Sequence, residues 1–232
     1  MAAIEKARSA TEAQLESAQT LPVAYFRQVF PQPGQPLPSG WRWVRLGEVC
    51  ETTSGGTPNR GFVEYFTGNI PWVKSGELPD GQIRETEEHI TEKAIDESNA
   101  KVLPVGTLLM AMYGATVGKL GILSVPAATN QAVCAIKPNS KVDRDYLFRW
   151  LLNIRTALLE ASFGGAQPNI SQSLICQIKI PLPSLTEQKR IAAMLAEKFS
   201  SAEKIINQLQ EQLETINKMP AALLRKAFNG EL

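Results

Sequence analysis

The 232 residues predict an α+β chain, a mixed α/β domain joined to a long coiled-coil-forming helix. Three observations carry that reading. Turn signals punctuate residues 41–184 and separate apolar runs of strand length. Residues 186–219 instead space their apolar side chains alternately four and three apart. Residues 31–40, Pro-Gln-Pro-Gly-Gln-Pro-Leu-Pro-Ser-Gly, form a linker that cannot be helical.

The elements follow in order. Residues 1–20 are rich in Ala, Glu and Gln and predict a helix within an N-terminal helical segment, residues 1–30. In the mixed block, residues 41–184, the turns include Ser54-Gly55-Gly56-Thr57-Pro58, Pro79-Asp80-Gly81, Gly114, Gly118, Gly121 and Gly164-Gly165. Gly106–Met112, Gly121–Val125 and Val133–Ile136 have strand length. Asp145–Phe163 has helical spacing, and Ile175–Ile180 is closed by Pro181-Leu182-Pro183. The last segment, residues 185–232, carries the seam Leu195, Phe199, Ala202, Ile206, Leu209, Leu213 and Ile216. Thr186 followed by Glu187-Gln188 makes a helix start, and Pro220 is expected to end or kink the rod. Residues 186–218 give ~50 Å of helix at 1.5 Å per residue.

The chain also repeats itself at an offset of 198. Glu5-Lys6 matches Glu203-Lys204, Gln14-Leu15-Glu16 matches Gln212-Leu213-Glu214, and Pro22, Ala24, Arg27 and Phe30 match Pro220, Ala222, Arg225 and Phe228. One structural piece therefore brackets the mixed block on both sides. A helix over residues 4–20 could cover only about half of the seam, so a second copy of the chain is expected to supply the rest.

Composition excludes several classes. No apolar run approaches the ~20 residues that span a bilayer. Glu5, Lys6, Arg8, Glu12 and Glu16 stand where a signal peptide is apolar, so a cytoplasmic protein is expected. Cys50, Cys134 and Cys176 are widely separated and predict neither a disulfide framework nor a zinc knuckle. His89 is the one histidine and reads as a surface or capping residue. Gly114-Ala-Thr-Val-Gly118-Lys119-Leu120 is not a phosphate loop, because it is one residue short and Leu120 stands where Ser or Thr belongs. No catalytic constellation and no metal site emerge. The net charge is +1, yet residues 77–97 hold eight acids and two bases while residues 98–142 hold four lysines and no acid. That split predicts one positive face.

Residues 41–191 carry an ordered set of motifs: Trp41-Arg-Trp43-Val-Arg-Leu46-Gly47-Glu48-Val49, Gly55-Gly56-Thr57-Pro58, Gly68-Asn69-Ile70-Pro71-Trp72-Val73 and Gly106-Thr107-Leu108-Leu109-Met110. Gly114-Ala-Thr116-Val-Gly118-Lys119, Thr129-Asn130-Gln131-Ala132, Gly165-Ala-Gln167-Pro-Asn169-Ile170 and Pro181-Leu182-Pro183-Ser-Leu-Thr-Glu187-Gln188 follow. With the heptad helix behind it, the set resembles the specificity subunits of Type I restriction–modification systems, the HsdS family. Full-length members carry two recognition domains. This chain has one, so it is either a half-subunit or the C-terminal half of a longer chain.

The resemblance implies a non-catalytic reader of double-stranded DNA, with residues 41–184 as the target recognition domain. Its expected partners are modification subunits, which methylate adenine with S-adenosylmethionine, and a restriction subunit, which uses ATP and Mg²⁺. No cofactor is expected in this chain. Candidate DNA contacts are Asn59, Arg60, Lys74, Lys101, Tyr113, Lys119, Gln131 and Lys137, with Lys101 and Lys119 expected on phosphates. The 77–97 region is expected to face away from DNA. The competing reading, a coiled-coil scaffold without a DNA role, leaves the ordered motifs unexplained.

Overall fold

The computed structural model describes residues 2–32, 35–162 and 169–230. The chain divides into two compact units, Pro36–Lys189 and the two chain ends, Met1–Gln35 with Arg190–Leu232.

The mixed unit is closed by its own ends. Strand β1 (Arg42–Arg45) pairs antiparallel with β10 (Lys179–Leu182). Helix α2 (Leu46–Val49) packs beside α5 (Gln172–Gln177). Five strands form the main sheet, in the order β2 (Cys50–Ser54), β9 (Val133–Pro138), β6 (Leu108–Ala111), β7 (Leu120–Leu123) and β4 (Gly81–Ile83). The inner strands read as unbroken apolar runs because both faces are covered, and every residue of β6 and β7 is buried. A second sheet has the order β5 (Glu88–Ile90), β3 (Ile70–Val73) and β8 (Ala128–Thr129). Helix α3 (Glu92–Asp96) follows β5, capped by the Thr91 hydroxyl, which accepts from the Ala94 N–H at 3.2 Å.

Helix α4 (Arg144–Ser162) buries Tyr146, Leu147 and Leu151. The Tyr146 hydroxyl donates to the Pro181 carbonyl, and Trp150 Nε1–H donates to the Lys179 carbonyl at 2.9 Å. Both bonds tie α4 to β10. Ile175–Ile180 is not one element. A helical turn ends at Gln177, and the strand starts at Lys179 and runs through Pro181. The 165–168 part of one motif lies outside the described residues.

Helix α6 (Leu185–Phe228) starts one residue before Thr186, and its cap is Ser184, whose hydroxyl accepts from the Glu187 N–H at 3.3 Å. Gln188 in its first turn is fully buried and fully bonded. Its Nε2 donates to the Lys141 and Pro183 carbonyls, both at 3.0 Å, and its Oε1 accepts from the Asp143 N–H at 2.8 Å. A buried amide satisfied on both ends anchors the first turn of the long helix.

In the other unit, α1 (Ala2–Val29) packs on α6. Phe26 and Tyr25 stack on Phe199 with ring centroids 5.0 Å and 6.3 Å apart, and Lys198 donates to Gln28 at 3.0 Å. Two expected helix ends are corrected, residue 20 for the first helix and Pro220 for the rod. The first helix does not stop near residue 20 but passes Pro22 to Val29, and α6 passes Pro220 to Phe228. An interior proline costs ~3 kcal/mol of helix. In α1 the aromatic clamp just beyond Pro22 offsets it, and in α6 the strong helix formers Ala221 to Lys226 resume at once. The seam is accordingly half served in cis: Leu195, Ala202 and Ile216 are buried, while Phe199, Ile206, Leu209 and Leu213 are half-buried.

Candidate nucleic-acid interface

Five chain segments meet at one end of the main sheet. β2 ends there and the 55–62 loop begins, β6 ends there and the 112–119 turn begins, and β9 starts there after Asn130-Gln131. β3 ends there too, with the Asn130 N–H bonded to the Val73 carbonyl at 3.0 Å. The 99–101 segment joins them through Gly56, where a Cβ would lie 2.3 Å from the Ala100 nitrogen. Only glycine permits that approach.

The candidates sort by this end. Asn59, Arg60, Lys74, Tyr113 and Gln131 lie on its loops, and Lys101 follows Ala100 into it. Gln131 accepts a hydrogen bond from Thr57 and so links two loops. Asn59 accepts from the Gly61 N–H at 2.9 Å and Asn130 from the Ala132 N–H at 3.2 Å, so both side chains shape their own turns. Tyr113 is 40% exposed, and its backbone pairs with Asn169. Lys137 is elsewhere. It sits near the far end of β9, ~20 Å along the strand from Gln131 at ~3.3 Å per residue.

The expected separation of charge is not what the fold makes. Arg60 is paired with Glu88 at 2.6 Å, and Lys74 with Glu87 at 2.7 Å and Glu88 at 3.0 Å. Lys119 is paired with Asp80 at 3.3 Å. The acids of residues 77–97 thus neutralise three candidate cations instead of forming a separate face. The reason is pairing across strands. β5 lies beside β3, placing Glu88 opposite Trp72, and β4 lies beside β7, placing Asp80 at the foot of the 112–119 turn. Among the described residues, no ion pair involves Lys101 or Lys137.

The protonation equilibria follow these partners. Hydrogen bonds from Arg60, and then from Lys74, hold the Glu88 carboxyl below its ordinary value despite some burial. Bonds to Glu87 and Glu88 raise Lys74. Burial pushes Asp80 up, but the Arg155 guanidinium, the Leu120 N–H and Lys119 together carry it below the ordinary range. Burial pushes the Cys50 and Cys134 thiols up to about 12, which makes them inert packing groups.

Sequence reasoning missed Glu88, Asp80 and Arg155. Asp80 adopts a left-handed backbone conformation at φ 60°, which Asp tolerates better than most residues, and Pro79-Asp80-Gly81 is a visible signal for it. The partners of Glu88 had no local signal. Among the described residues no group of three or more His, Cys, Asp or Glu side chains could hold a metal ion, and no helix is long and apolar enough to cross a membrane. His89 is half-buried on β5, opposite Pro71.

Comparison with known proteins places the chain in a family. The MjaIX Type I restriction enzyme specificity subunit of Methanocaldococcus jannaschii is 30% identical over 198 residues, 83% of this chain and 44% of the relative. The EcoR124I/EcoR124II specificity subunit of Escherichia coli is 28% identical over 165 residues, 68% of this chain and 41% of the relative. The chain therefore spans less than half the length of these curated relatives. A structure solved for the assembly and conformational transition of a type I R-M system matches all of this chain and 57% of its own, with a TM-score of 0.84 and 27% identity. The HsdS subunit of Thermoanaerobacter tengcongensis matches all of this chain and 56% of its own, with a TM-score of 0.73 and 25% identity. Residues 38–215 match the family of the Type I restriction modification DNA specificity domain, and the chain belongs to that family.

Proposed function

We propose that this chain reads one half of a bipartite DNA target and directs adenine methylation and DNA cleavage by partner subunits. The observation that carries the reading is the convergence of five loop segments, with polar and basic side chains, at one end of the sheet in a chain of this family. Loops on a rigid sheet suit base reading, because the scaffold fixes their spacing. S-adenosylmethionine belongs on the modification subunit, ATP and Mg²⁺ on the restriction subunit, and the complex in the cytoplasm. Purification with the modification subunit, followed by methylation mapping of genomic DNA, tests this. Methylation at an interrupted inverted repeat is expected. Methylation that ignores sequence overturns the reading.

A second copy of the chain completes the target. The segment Pro22–Phe30 is repeated as Pro220–Phe228. In the first copy Phe26 and Phe30 are buried, whereas in the second the matching Leu224 and Phe228 are 57% and 90% exposed. An apolar turn left bare, beside a seam half covered in cis, suits self-association. Light scattering should show a dimer at micromolar concentration, split by Leu209→Glu with Leu213→Glu or by Leu224→Glu with Phe228→Glu. A monomer from the unmodified chain overturns it. The 44 residues of α6 make a rod of ~66 Å, longer than Pro220 had suggested. Deleting Ile206 to Gln212 shortens it by ~10 Å and should contract the unread spacer by up to ~3 bp if the rod sets the distance.

A further inference from the structure

Arg60 and Lys74 share their acids. The Arg60 guanidinium lies over Phe66 and Trp72, 4.4 Å and 5.0 Å from the ring centroids. It donates to both oxygens of Glu88, at 2.6 Å and 3.3 Å. Lys74 Nζ donates to the same Glu88 at 3.0 Å and to Glu87 at 2.7 Å. Glu77 holds the frame: one of its oxygens accepts from the Lys74 N–H and the other from the Glu87 N–H, both at 2.7 Å. Two carboxylates, Glu87 and Glu88, thus hold two cations, with Glu77 bracing the backbone between them, on the loops gathered at the candidate interface. Ion pairs that reach the surface, as Arg60 does here, stabilise a fold by only ~0–1 kcal/mol, so stability owes little to this network.

Its electrostatic effect is larger. A bare Arg and Lys on such a loop would attract any phosphate backbone, adding affinity without sequence information. Carboxylates around them repel phosphate and occupy the donors. A guanine edge is different. It carries no net charge and presents O6 and N7 side by side, so it can replace the two Glu88 bonds of Arg60 with two of its own. The aromatic seat keeps the guanidinium plane oriented during that exchange.

We propose that Glu88 is a positioning residue that sets DNA specificity, withholding Arg60 and Lys74 from phosphates and yielding Arg60 to a guanine edge. The proposal rests on the DNA-reading function above and names the chemistry by which that site discriminates.

The test uses the full chain, a duplex it selects from a random pool, and an unrelated duplex of equal length, each titrated at several salt concentrations. Glu88→Gln keeps the shape and a carbonyl acceptor but loses the charge. It should bind the unrelated duplex several-fold more tightly, with a salt slope steeper by ~0.9 for each additional phosphate neutralised, and should lose preference for the selected duplex. Arg60→Lys keeps the charge but not the paired donors, and should lose the preference without binding the unrelated duplex more tightly. A merely structural Glu88 would weaken both affinities together. Unchanged or weaker binding of Glu88→Gln to the unrelated duplex, with the selected duplex still bound by the unmodified chain, overturns this inference alone. An unmodified chain that binds no duplex overturns the DNA-reading function with it.

Discussion

Two ion clusters meet the same group of loops, and they differ in kind. Around the Glu88 carboxylate the partners among the described residues are the side chains of Arg60 and Lys74 alone, with Arg60 53% exposed and Lys74 and Glu88 27% each. Around Asp80 they are built in. Its backbone N–H donates to the Leu120 carbonyl at 2.8 Å, and its carboxylate accepts from the Leu120 N–H at 2.9 Å and from both terminal nitrogens of Arg155. Arg155 Nε in turn donates to the Gly118 carbonyl at 2.9 Å, so α4, β4 and the 112–119 turn share one knot. The Asp80 and Arg155 side chains are 23% and 24% exposed. The first cluster can exchange its partners with a ligand. The second cannot let go without opening a turn. Like signals in the sequence, a basic residue near a turn, therefore have unlike uses, decided by how many backbone groups join the pair.

The largest effect should come from Asp80→Asn, which keeps the left-handed backbone and removes the charge. Loss of charge-assisted bonds in a half-buried site should lower stability by ~1–2 kcal/mol, read as a lower denaturant midpoint at neutral pH. Glu88→Gln should move the midpoint far less; equal shifts would erase the contrast between the clusters. Acid sharpens it next. The folded Asp80 carboxyl titrates below its ordinary value of 3.8, so its contribution is fully present above that value and is lost as pH falls through the lower folded one. The stability gap between the unmodified chain and Asp80→Asn should thus be constant near neutrality and close at the acid end. A gap that widens in acid would contradict the sign.

DNA binding should divide the lysines in turn. Lys101→Ala should weaken binding to every duplex and flatten the salt slope by ~0.9, whereas Lys119→Ala, already paired with Asp80, should do less. Equal losses would mean that Asp80 releases Lys119 on DNA. Smallest of all is Glu87→Ala, which frees Lys74 only in part because Glu88 still holds it.

Much of the scaffold was legible. The apolar runs that became β6 and β7 follow glycines, the run that became β9 lies between Asn130 and Pro138, and all three keep their apolar residues buried. The heptad spacing of α6 survives because tertiary packing keeps it. The site was only half legible. Its loops could be read from glycines and motifs, but the charges on them could not. Arg60 meets Glu88 across 28 positions through the pairing of β3 with β5, and Asp80 meets Arg155 across 75 through the packing of α4 on the 112–119 turn, and local pattern encodes neither. The helix ends were misread for the opposite reason. Pro220 is a strong local signal, and the helix formers Ala221 to Lys226 that follow it carry α6 on to Phe228.

Trp72 makes the neighbourhood of Arg60 visible to light. Its indole is buried beneath the Arg60 guanidinium, with Nε1–H bonded to the Gly56 carbonyl at 3.1 Å. Trp43 and Trp150 stack on each other instead, with ring centroids 5.9 Å apart on β1 and α4. A cation over an indole face alters its excited state, so the departure of Arg60 proposed above should change the ultraviolet emission of Trp72. The protein thus carries its own dye beside Arg60, and Trp72→Phe should abolish that response.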